Sequence, residues 1–200
     1  MRSILLTSLM LVAMPSMADP VCEVAALTGE ARVGVKLLVV GDKLDAGAEV
    51  RTGVKGRLRL RCVDGSSLVL GDATQLKLSE FTPAANGQLR KASLWLELGV
   101  IGQKVTSGGS WEVRTPSAVT AVRGTEFMVE VSGEQATAVH VKEGEVAVEA
   151  PSHTRGIAPR PVIKLDRDAN GTQCTPRGGC VAAAHWSHDR VRELQDKLDF

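Results

Sequence analysis

Residues 57–71 read RLRLRCVDGSSLVLG, and this stretch decides the fold class. Charged and apolar side chains alternate from Arg57 to Cys62, Asp64-Gly65 interrupts the pattern, and residues 67–70 return to an apolar run. Alternation places every second side chain on the same face of a β-strand, and Asp-Gly between two such runs is a hairpin signal. The stretch therefore predicts a β-hairpin whose first strand carries arginines on one face.

The same alternation recurs from Leu27 to Val148, with turn residues between the runs. Short alternating runs separated by turns predict a mainly β protein, a sandwich- or solenoid-like stack of short antiparallel strands, with a barrel as a further option. No helical periodicity of useful length precedes residue 185. Val191, Leu194 and Leu198 then fall on one side at helical spacing and predict one short C-terminal helix.

Composition narrows the function classes. The chain has 200 residues, with 24 Lys and Arg against 23 Asp and Glu, so it lacks the surplus of cations that nucleic-acid binding requires. It has 20 glycines, three Trp, three Phe and no Tyr. Few aromatic rings are then available for stacking on bases or sugars.

Residues 1–18 read MRSILLTSLMLVAMPSMA and have the pattern of a secretory signal peptide. Arg2 precedes a short apolar run that Pro15 ends, and Ser16-Met17-Ala18 supplies small residues for cleavage before Asp19. The apolar run is about half as long as a bilayer span. We expect a periplasmic or secreted protein with no transmembrane segment after cleavage.

Four cysteines fit an oxidising compartment, since an even number in an exported chain favours disulfides. Cys174 and Cys180 flank a short loop and can close a small ring, and Cys22 and Cys62 would then join the N-terminal region to an early strand. Three pairings remain open. Metal binding is the less favoured alternative because no CxxC pair is present.

The chain divides by composition into four segments. Residues 1–18 are the signal peptide and residues 19–150 are the β domain. Residues 151–184 are rich in Pro and Gly, and we expect an extended segment with little regular structure and a small disulfide loop. Residues 185–200 are the predicted helix, which we expect to dock on the β domain rather than on a partner.

Further motifs accompany the opening hairpin: GDKLDAGAEVRTG at 41–53, DGSSLVLG at 64–71, TPSAVTAVRGTEF at 115–127 and VKEGEV at 141–146. As an ordered set they resemble the FecR domain family, over roughly residues 24–149. The resemblance implies an extracytoplasmic β domain. In the named regulators this domain belongs to an inner-membrane sensor that relays the occupancy of an outer-membrane iron-siderophore transporter to a cytoplasmic sigma factor.

The sequence departs from those regulators, because we find neither a sigma-binding region before the domain nor an internal transmembrane helix. The sigma-regulator function is therefore not transferred. For free-standing secreted FecR domains, the resemblance implies a binding or scaffolding role.

Most motif residues are interpreted as structural. We expect turns supported by Gly or capped by Asp at Gly41, Asp42, Gly47, Gly53, Asp64 and Gly65. Thr115-Pro116 should hold an extended bend. Arg123-Gly124-Thr125 should form a turn in which Arg123 ties strand ends together, with contact to an anionic ligand as the alternative.

Arg57, Arg59 and Arg61 form the candidate binding surface. Their simplest interpretation is a solvated face that guards a sheet edge, and an anionic surface partner is the alternative. His140 should face outward between Val139 and Val141.

Chemical motifs point to no reaction. No catalytic, cofactor or metal motif is recognisable, and His185 and His188 lack a dependable third ligand. The sequence predicts a non-enzymatic periplasmic protein that binds or scaffolds another cell-envelope protein. The alternative is a peptidoglycan or envelope-glycan binding module that uses an outward-facing Trp95.

Overall fold

The computed structural model describes residues 20–83, 89–106, 110–151 and 161–200, so the predicted signal peptide lies outside the described residues. Those residues form seventeen strands and one helix. In chain order the elements are β1 (Cys22–Thr28), β2 (Ala31–Val33), β3 (Lys36–Leu37), β4 (Lys43–Leu44), β5 (Glu49–Thr52), β6 (Arg57–Cys62), β7 (Ser67–Leu70), β8 (Gln75–Pro83), β9 (Leu89–Lys104), β10 (Ser110–Arg114), β11 (Val119–Val122), β12 (Glu126–Val131), β13 (Thr137–Glu143), β14 (Val146–Glu149), β15 (Ile163–Leu165), β16 (Gly171–Thr175), β17 (Gly179–Cys180) and α1 (His188–Asp196).

The strands form two sheets that share β9. Sheet A has the order β4-β1-β6-β7-β9-β12-β13-β16-β17. Sheet B has the order β3-β2-β5-β8-β9-β10-β11-β14-β15. The prediction of a mainly β fold with one short C-terminal helix is confirmed.

Strand β9 is long because it crosses from one sheet to the other. Leu98 pairs with Gln75 in sheet B, and the next residue, Gly99, pairs with Val131 in sheet A. The chain then re-enters sheet B beside the first half of β9 and runs in the same direction. As a result the pairing of β9 with β10 is parallel, whereas every other pairing of described strands is antiparallel.

One hydrophobic core fills the space between the sheets. Leu58 and Leu60 point into it from sheet A, Leu76 and Leu78 from sheet B, and all four are buried. The alternation in residues 57–71 therefore predicted the inner face correctly. Trp111 is the largest fully buried side chain of the core, and its ring packs perpendicular to that of Phe81 with 5.5 Å between centroids.

In the segment 151–184, the described residues 161–184 are more regular than the composition predicted. Strand β15 pairs with β14 and extends sheet B, and strand β16 pairs with β13 and extends sheet A. These additions satisfy backbone groups that would otherwise be open at sheet edges. The described prolines of this segment lie outside its strands, because Pro151 follows β14, Pro161 precedes β15 and Pro176 lies between β16 and β17.

Both disulfides are present. Cys22 on β1 is bonded to its cross-strand neighbour Cys62 on β6, and Cys174 on β16 is bonded to Cys180 on β17. This confirms the expectation of disulfides and selects one of the three pairings. The first bridge joins residues 40 apart in the chain, and the second joins residues 6 apart.

Helix α1 begins at His188, inside the segment 185–200 that was predicted to be helical. Ser187 is its N-cap, and the Ser187 side chain accepts a hydrogen bond from the Arg190 backbone N–H. Leu194 is fully buried against sheet A. Among the described residues, no helix has the length and apolar character needed to cross a membrane.

Candidate binding surface

The strand register fixes which side chains share the outer face of sheet A, the face away from the core. One row across the strands contains Arg61, Ser67, Lys104 and Glu126. The next row contains Arg59, Val69, Gly102, Met128 and His140. A third contains Val100 and Glu130. This outer face therefore mixes charged and apolar side chains with a glycine, Gly102, that has no side chain.

The C-terminal segment, residues 184–200, covers part of this face. Val100, Met128 and Leu194 form a second hydrophobic cluster, and Trp186, Val191 and Leu198 pack around it. Burial of these groups gives the helix its main attachment, since removing apolar surface from water is favourable. The docked position of the predicted helix against the β domain is thus accounted for by apolar contact.

Three glycines make close approach by this segment possible. A Cβ on Gly71 would lie 2.7 Å from the Lys197 carbonyl oxygen, and one on Gly102 would lie 2.8 Å from Leu198 Cδ1. A Cβ on Gly171 would overlap the Trp186 ring. None of these three glycines was singled out from the sequence. A glycine inside a strand pattern, as at Gly102, is a known sign that other groups come close to the backbone.

Glu130 anchors the helix electrostatically. Its carboxylate is largely buried and accepts a hydrogen bond from Lys197 Nζ at 2.6 Å, with Arg190 at 3.7 Å. Desolvation by burial lowers the pKa of Lys197, but the hydrogen bond that Lys197 donates to Glu130, the charge of Glu130 and the contact with Glu193 together outweigh this and raise the pKa. The guanidinium of Arg190 also lies over the Trp186 ring, 5.3 Å from its centroid.

The arginine row is only partly the solvated face that the sequence indicated. Arg57 donates a hydrogen bond from Nη2 to the Asp196 carbonyl oxygen at 3.2 Å. The Arg59 guanidinium lies over the Phe200 ring, 4.6 Å from its centroid. Arg61 is exposed and makes no ion pair within the described part of the chain. Along β6, the three arginines therefore range from contact with the end of the helix, at Arg57, to exposure to solvent, at Arg61.

His140 does not face solvent, which corrects the sequence expectation. It does lie on the outer face of sheet A, but only 3% of its surface is exposed, because the Trp186 ring covers it at 5.8 Å between centroids. Burial, with a smaller contribution from nearby His185, lowers the pKa of His140 to about 4. Alternation identified the correct face but carried no information about a distant segment covering it.

This depressed pKa predicts a stability that falls in acid. The unfolded chain takes up a proton near pH 6.5, whereas folded His140 resists protonation until about pH 4, so the contribution is complete above the first value and is lost between them. We expect urea unfolding to show a decrease of up to about 3 kcal/mol over this window. His140→Phe should flatten that part of the profile. Parallel profiles for the two proteins would contradict the assignment.

Asp42 and Asp64 act as the turn caps that the motifs predicted. Asp42 accepts hydrogen bonds from the Val39 backbone N–H at 2.9 Å and from Lys36 Nζ at 2.8 Å. The Lys36 hydrogen bond and then the Val39 N–H lower the pKa of the Asp42 carboxyl. Asp64 accepts from the Ser66 backbone N–H at 2.9 Å and from the buried Trp111 Nε1 at 3.0 Å. Asp64 thereby links the β6–β7 hairpin of sheet A to sheet B.

We predict that Asp64→Ala destabilises the protein by about 1–3 kcal/mol, because the buried Trp111 N–H and the turn amide lose their acceptor. Asp64→Asn is the matched control, since its amide oxygen still accepts a hydrogen bond and should keep part of that stability. Urea unfolding followed by Trp fluorescence measures both. Equal midpoints for wild type and Asp64→Ala would contradict this role.

The Thr115-Pro116 bend is braced by buried hydroxyl groups. Thr115 Oγ1 accepts a hydrogen bond from the Ala118 N–H at 2.9 Å and lies 2.7 Å from Thr137 Oγ1. Ser117 Oγ is also 2.7 Å from Thr137 Oγ1, and it donates to the Gln135 carbonyl oxygen at 2.8 Å. Thr115, Ser117 and Thr137 are all buried, so this network holds the bend against the start of β13.

The Arg123-Gly124-Thr125 turn differs in one respect from its expected role. Gly124 has φ +60°, and Thr125 Oγ1 lies 3.1 Å from the Arg123 and Glu145 carbonyl oxygens. The Arg123 side chain is exposed and forms no hydrogen bond or ion pair with the described residues. Ties from its guanidinium to strand ends are therefore not seen there.

The remaining motif glycines fall into two groups. Gly41, Gly47 and Gly65 have positive φ of 91°, 89° and 81°, the conformation that turns of this kind require. Gly53 has an ordinary φ, and its backbone N–H donates to the Glu30 carbonyl oxygen at 2.8 Å.

Sheet B also carries surface depressions, one of them about 680 Å³ in volume and bordered by Arg123 and residues of β11, β14 and β15. Trp95, on which the glycan alternative depends, is 39% exposed and borders a shallow depression with Glu49, Lys77 and Glu97. Within the described ranges, no group of three or more His, Cys, Asp or Glu side chains is arranged to hold a metal ion.

Fold and surface together define a disulfide-bonded β-sandwich protein with a basic, partly covered outer face. The family model of the FecR protein matches residues 48–147, half of the chain. The chain belongs to the FecR family. No curated protein matches it.

Two crystal structures, at 1.65 and 2.50 Å resolution, of a proposed anti-sigma factor from Parabacteroides distasonis ATCC 8503 have a similar fold. Each has a TM-score of 0.57 and 21% sequence identity to this chain. The match covers 74% of this chain and 64% of the solved one. This chain thus matches just under two thirds of the length of those structures.

Proposed function

We propose that the protein is a periplasmic, non-enzymatic FecR-domain protein that binds another cell-envelope protein. The signal-peptide pattern of residues 1–18 and the two disulfides support an oxidising compartment outside the cytoplasm. Membership of the FecR family, and a fold shared with a proposed anti-sigma factor, support a role related to signalling.

One observation carries the binding role: the outer face of sheet A presents cations beside apolar groups and is covered only in part. Arg59 and Arg61 are exposed there, and Phe200, which rests on Arg59, is itself 49% exposed. Exposed arginine next to aromatic and aliphatic side chains is a combination enriched at protein interfaces.

The test is a pull-down from cell-envelope extracts, run beside sedimentation with isolated peptidoglycan. We expect the protein to capture a specific envelope protein, and Arg59→Gln/Arg61→Gln to lose it. Arg32→Gln/Arg51→Gln is the matched control, because these exposed arginines face each other across β2 and β5 in sheet B. Sedimentation with peptidoglycan in place of protein capture would refute the proposal and favour the glycan alternative.

A further inference from the structure

A groove of about 670 Å³ lies on the outer face of sheet A, at the border between the part that the C-terminal segment covers and the part that it leaves uncovered. Strands β6, β7, β9, β12 and β13 supply its lining on the sheet side. Gln195, Leu198 and Asp199 supply the lining on the side of the C-terminal segment.

The border formed by the C-terminal segment is firmly placed. The Leu198 side chain lies directly against Gly102, since a Cβ built on Gly102 would come within 2.8 Å of Leu198 Cδ1. Lys197, next to it, is held by Glu130 at 2.6 Å. Because packing and an ion pair fix this border, the groove is part of the fold.

The charges lining the groove do not balance. It contains four cations and two carboxylates: Arg59, Arg61, Lys104, Lys142, Glu126 and Asp199. Glu126 already contacts both lysines, at 2.6 Å from Lys142 and 3.8 Å from Lys104. The formal charge of the whole chain is only +1, so the excess is a local feature that favours a ligand carrying carboxylates.

The spacing of the arginines specifies the form of that ligand. Arg59 and Arg61 are two residues apart on one face of β6, which places their Cα atoms about 6.8 Å from each other. An extended peptide repeats its side chains on one face at the same interval. Two acidic residues separated by a single residue would therefore meet Arg59 and Arg61 in register, while Val69 and Leu198 offer apolar contact beside them.

We propose that this groove binds an extended acidic segment of the partner protein, with acidic residues at alternate positions facing Arg59 and Arg61. The proposal rests on the proposed function and names the chemistry that the partner must present. Guanidinium–carboxylate pairs depend on geometry as well as on charge. The spacing of the acidic residues in the bound segment should therefore affect its affinity, in addition to its net charge.

The test uses two short fluorescein-labelled peptides of the same composition and fluorescence anisotropy with the purified protein. In one peptide aspartate and threonine alternate, and in the other the aspartates are consecutive. We expect the alternating peptide to bind about tenfold more tightly, with an affinity that weakens as salt is added. Arg59→Gln/Arg61→Gln should remove this preference, and Arg32→Gln/Arg51→Gln should keep it.

Three results would overturn the proposal: equal affinity for both peptides, equal losses in both double variants, or no binding of either peptide. Capture of vesicles containing anionic lipid with the same dependence on Arg59 and Arg61 would assign the groove to a membrane surface instead. If the pull-down yields a partner that depends on these arginines while neither peptide binds, the proposed function stands and the acidic-segment proposal fails.

Discussion

Gly99→Ala is expected to destabilise the protein by about 3–5 kcal/mol, which would remove much of the stability of a typical domain. Gly99 has φ +94° at the point where β9 leaves sheet B for sheet A. A side chain in this left-handed region costs about 1–2 kcal/mol. The added Cβ would also lie 2.6 Å from Thr74 Cα, a backbone atom that cannot move aside alone.

Displacing Thr74 adds the second part of the cost. Thr74 Oγ1 accepts a hydrogen bond from the Val100 N–H at 3.1 Å and lies 3.2 Å from the Val100 carbonyl oxygen. Thr74 is fully buried, so separating these groups leaves polar atoms without partners at about 1–3 kcal/mol. The Gly99 conformation and the Thr74 hydrogen bonds together hold the bend that joins the two sheets.

Gly133→Ala is the matched control for this substitution. Gly133 has no positive φ, and nothing lies within 4 Å of a Cβ built there. We expect its unfolding midpoint in urea to stay within about 0.5 kcal/mol of wild type. If Gly99→Ala also unfolds at the wild-type midpoint, the bend does not depend on glycine and this account of β9 is wrong.

The inner half of the fold could be predicted from the sequence because it depends on local patterns. Alternation placed Leu58 and Leu60 in the core and the arginines on the opposite face. Asp-Gly turn chemistry predicted the β6–β7 hairpin, in which Asp64 caps the turn and Gly65 has positive φ. Each of these features is decided by residues close together in the chain.

The outer half of the fold could not be predicted in the same way. His140 is on the expected face, but its burial depends on Trp186, which lies 46 residues later in the chain. The docking of Leu198 on Gly102 is likewise a contact between distant segments. The two-residue alternation of a strand shows which side chains share a face of the sheet. It gives no information about whether another segment of the chain covers that face.

The candidate site shows the same division. The sequence selected Arg57, Arg59 and Arg61 as a set, and the structure assigns them three different environments. Lys104 and Lys142 were not selected, because they lie on β9 and β13 and reach the groove only through strand pairing. A sheet surface assembled from five strands cannot be read from one strand at a time.

The loss of the Cys22–Cys62 disulfide is the second large expected effect. Cys22→Ala/Cys62→Ala opens a loop closed between residues 40 apart, and in the chain-entropy view this costs about 4 kcal/mol. Cys174→Ala/Cys180→Ala is the matched control. It also removes a disulfide, but that bridge closes a loop between residues only 6 apart, and its loss should cost about 2 kcal/mol. The difference has a structural counterpart: the first bridge fixes β1, which connects β4 to the rest of sheet A, whereas the second closes a small terminal hairpin.

Urea unfolding of both double variants and of the wild-type protein measures this difference directly. Alanine is preferred to serine, because a serine hydroxyl buried at Cys22, Cys62 or Cys174 would add a polar-burial cost of its own. We expect the unfolding free energies to rank wild type highest, then the variant without the Cys174–Cys180 bridge, then the variant without the Cys22–Cys62 bridge. The reverse order of the two variants would mean that the terminal hairpin, through its pairing with β13, contributes more to the folded state than loop closure at β1 does.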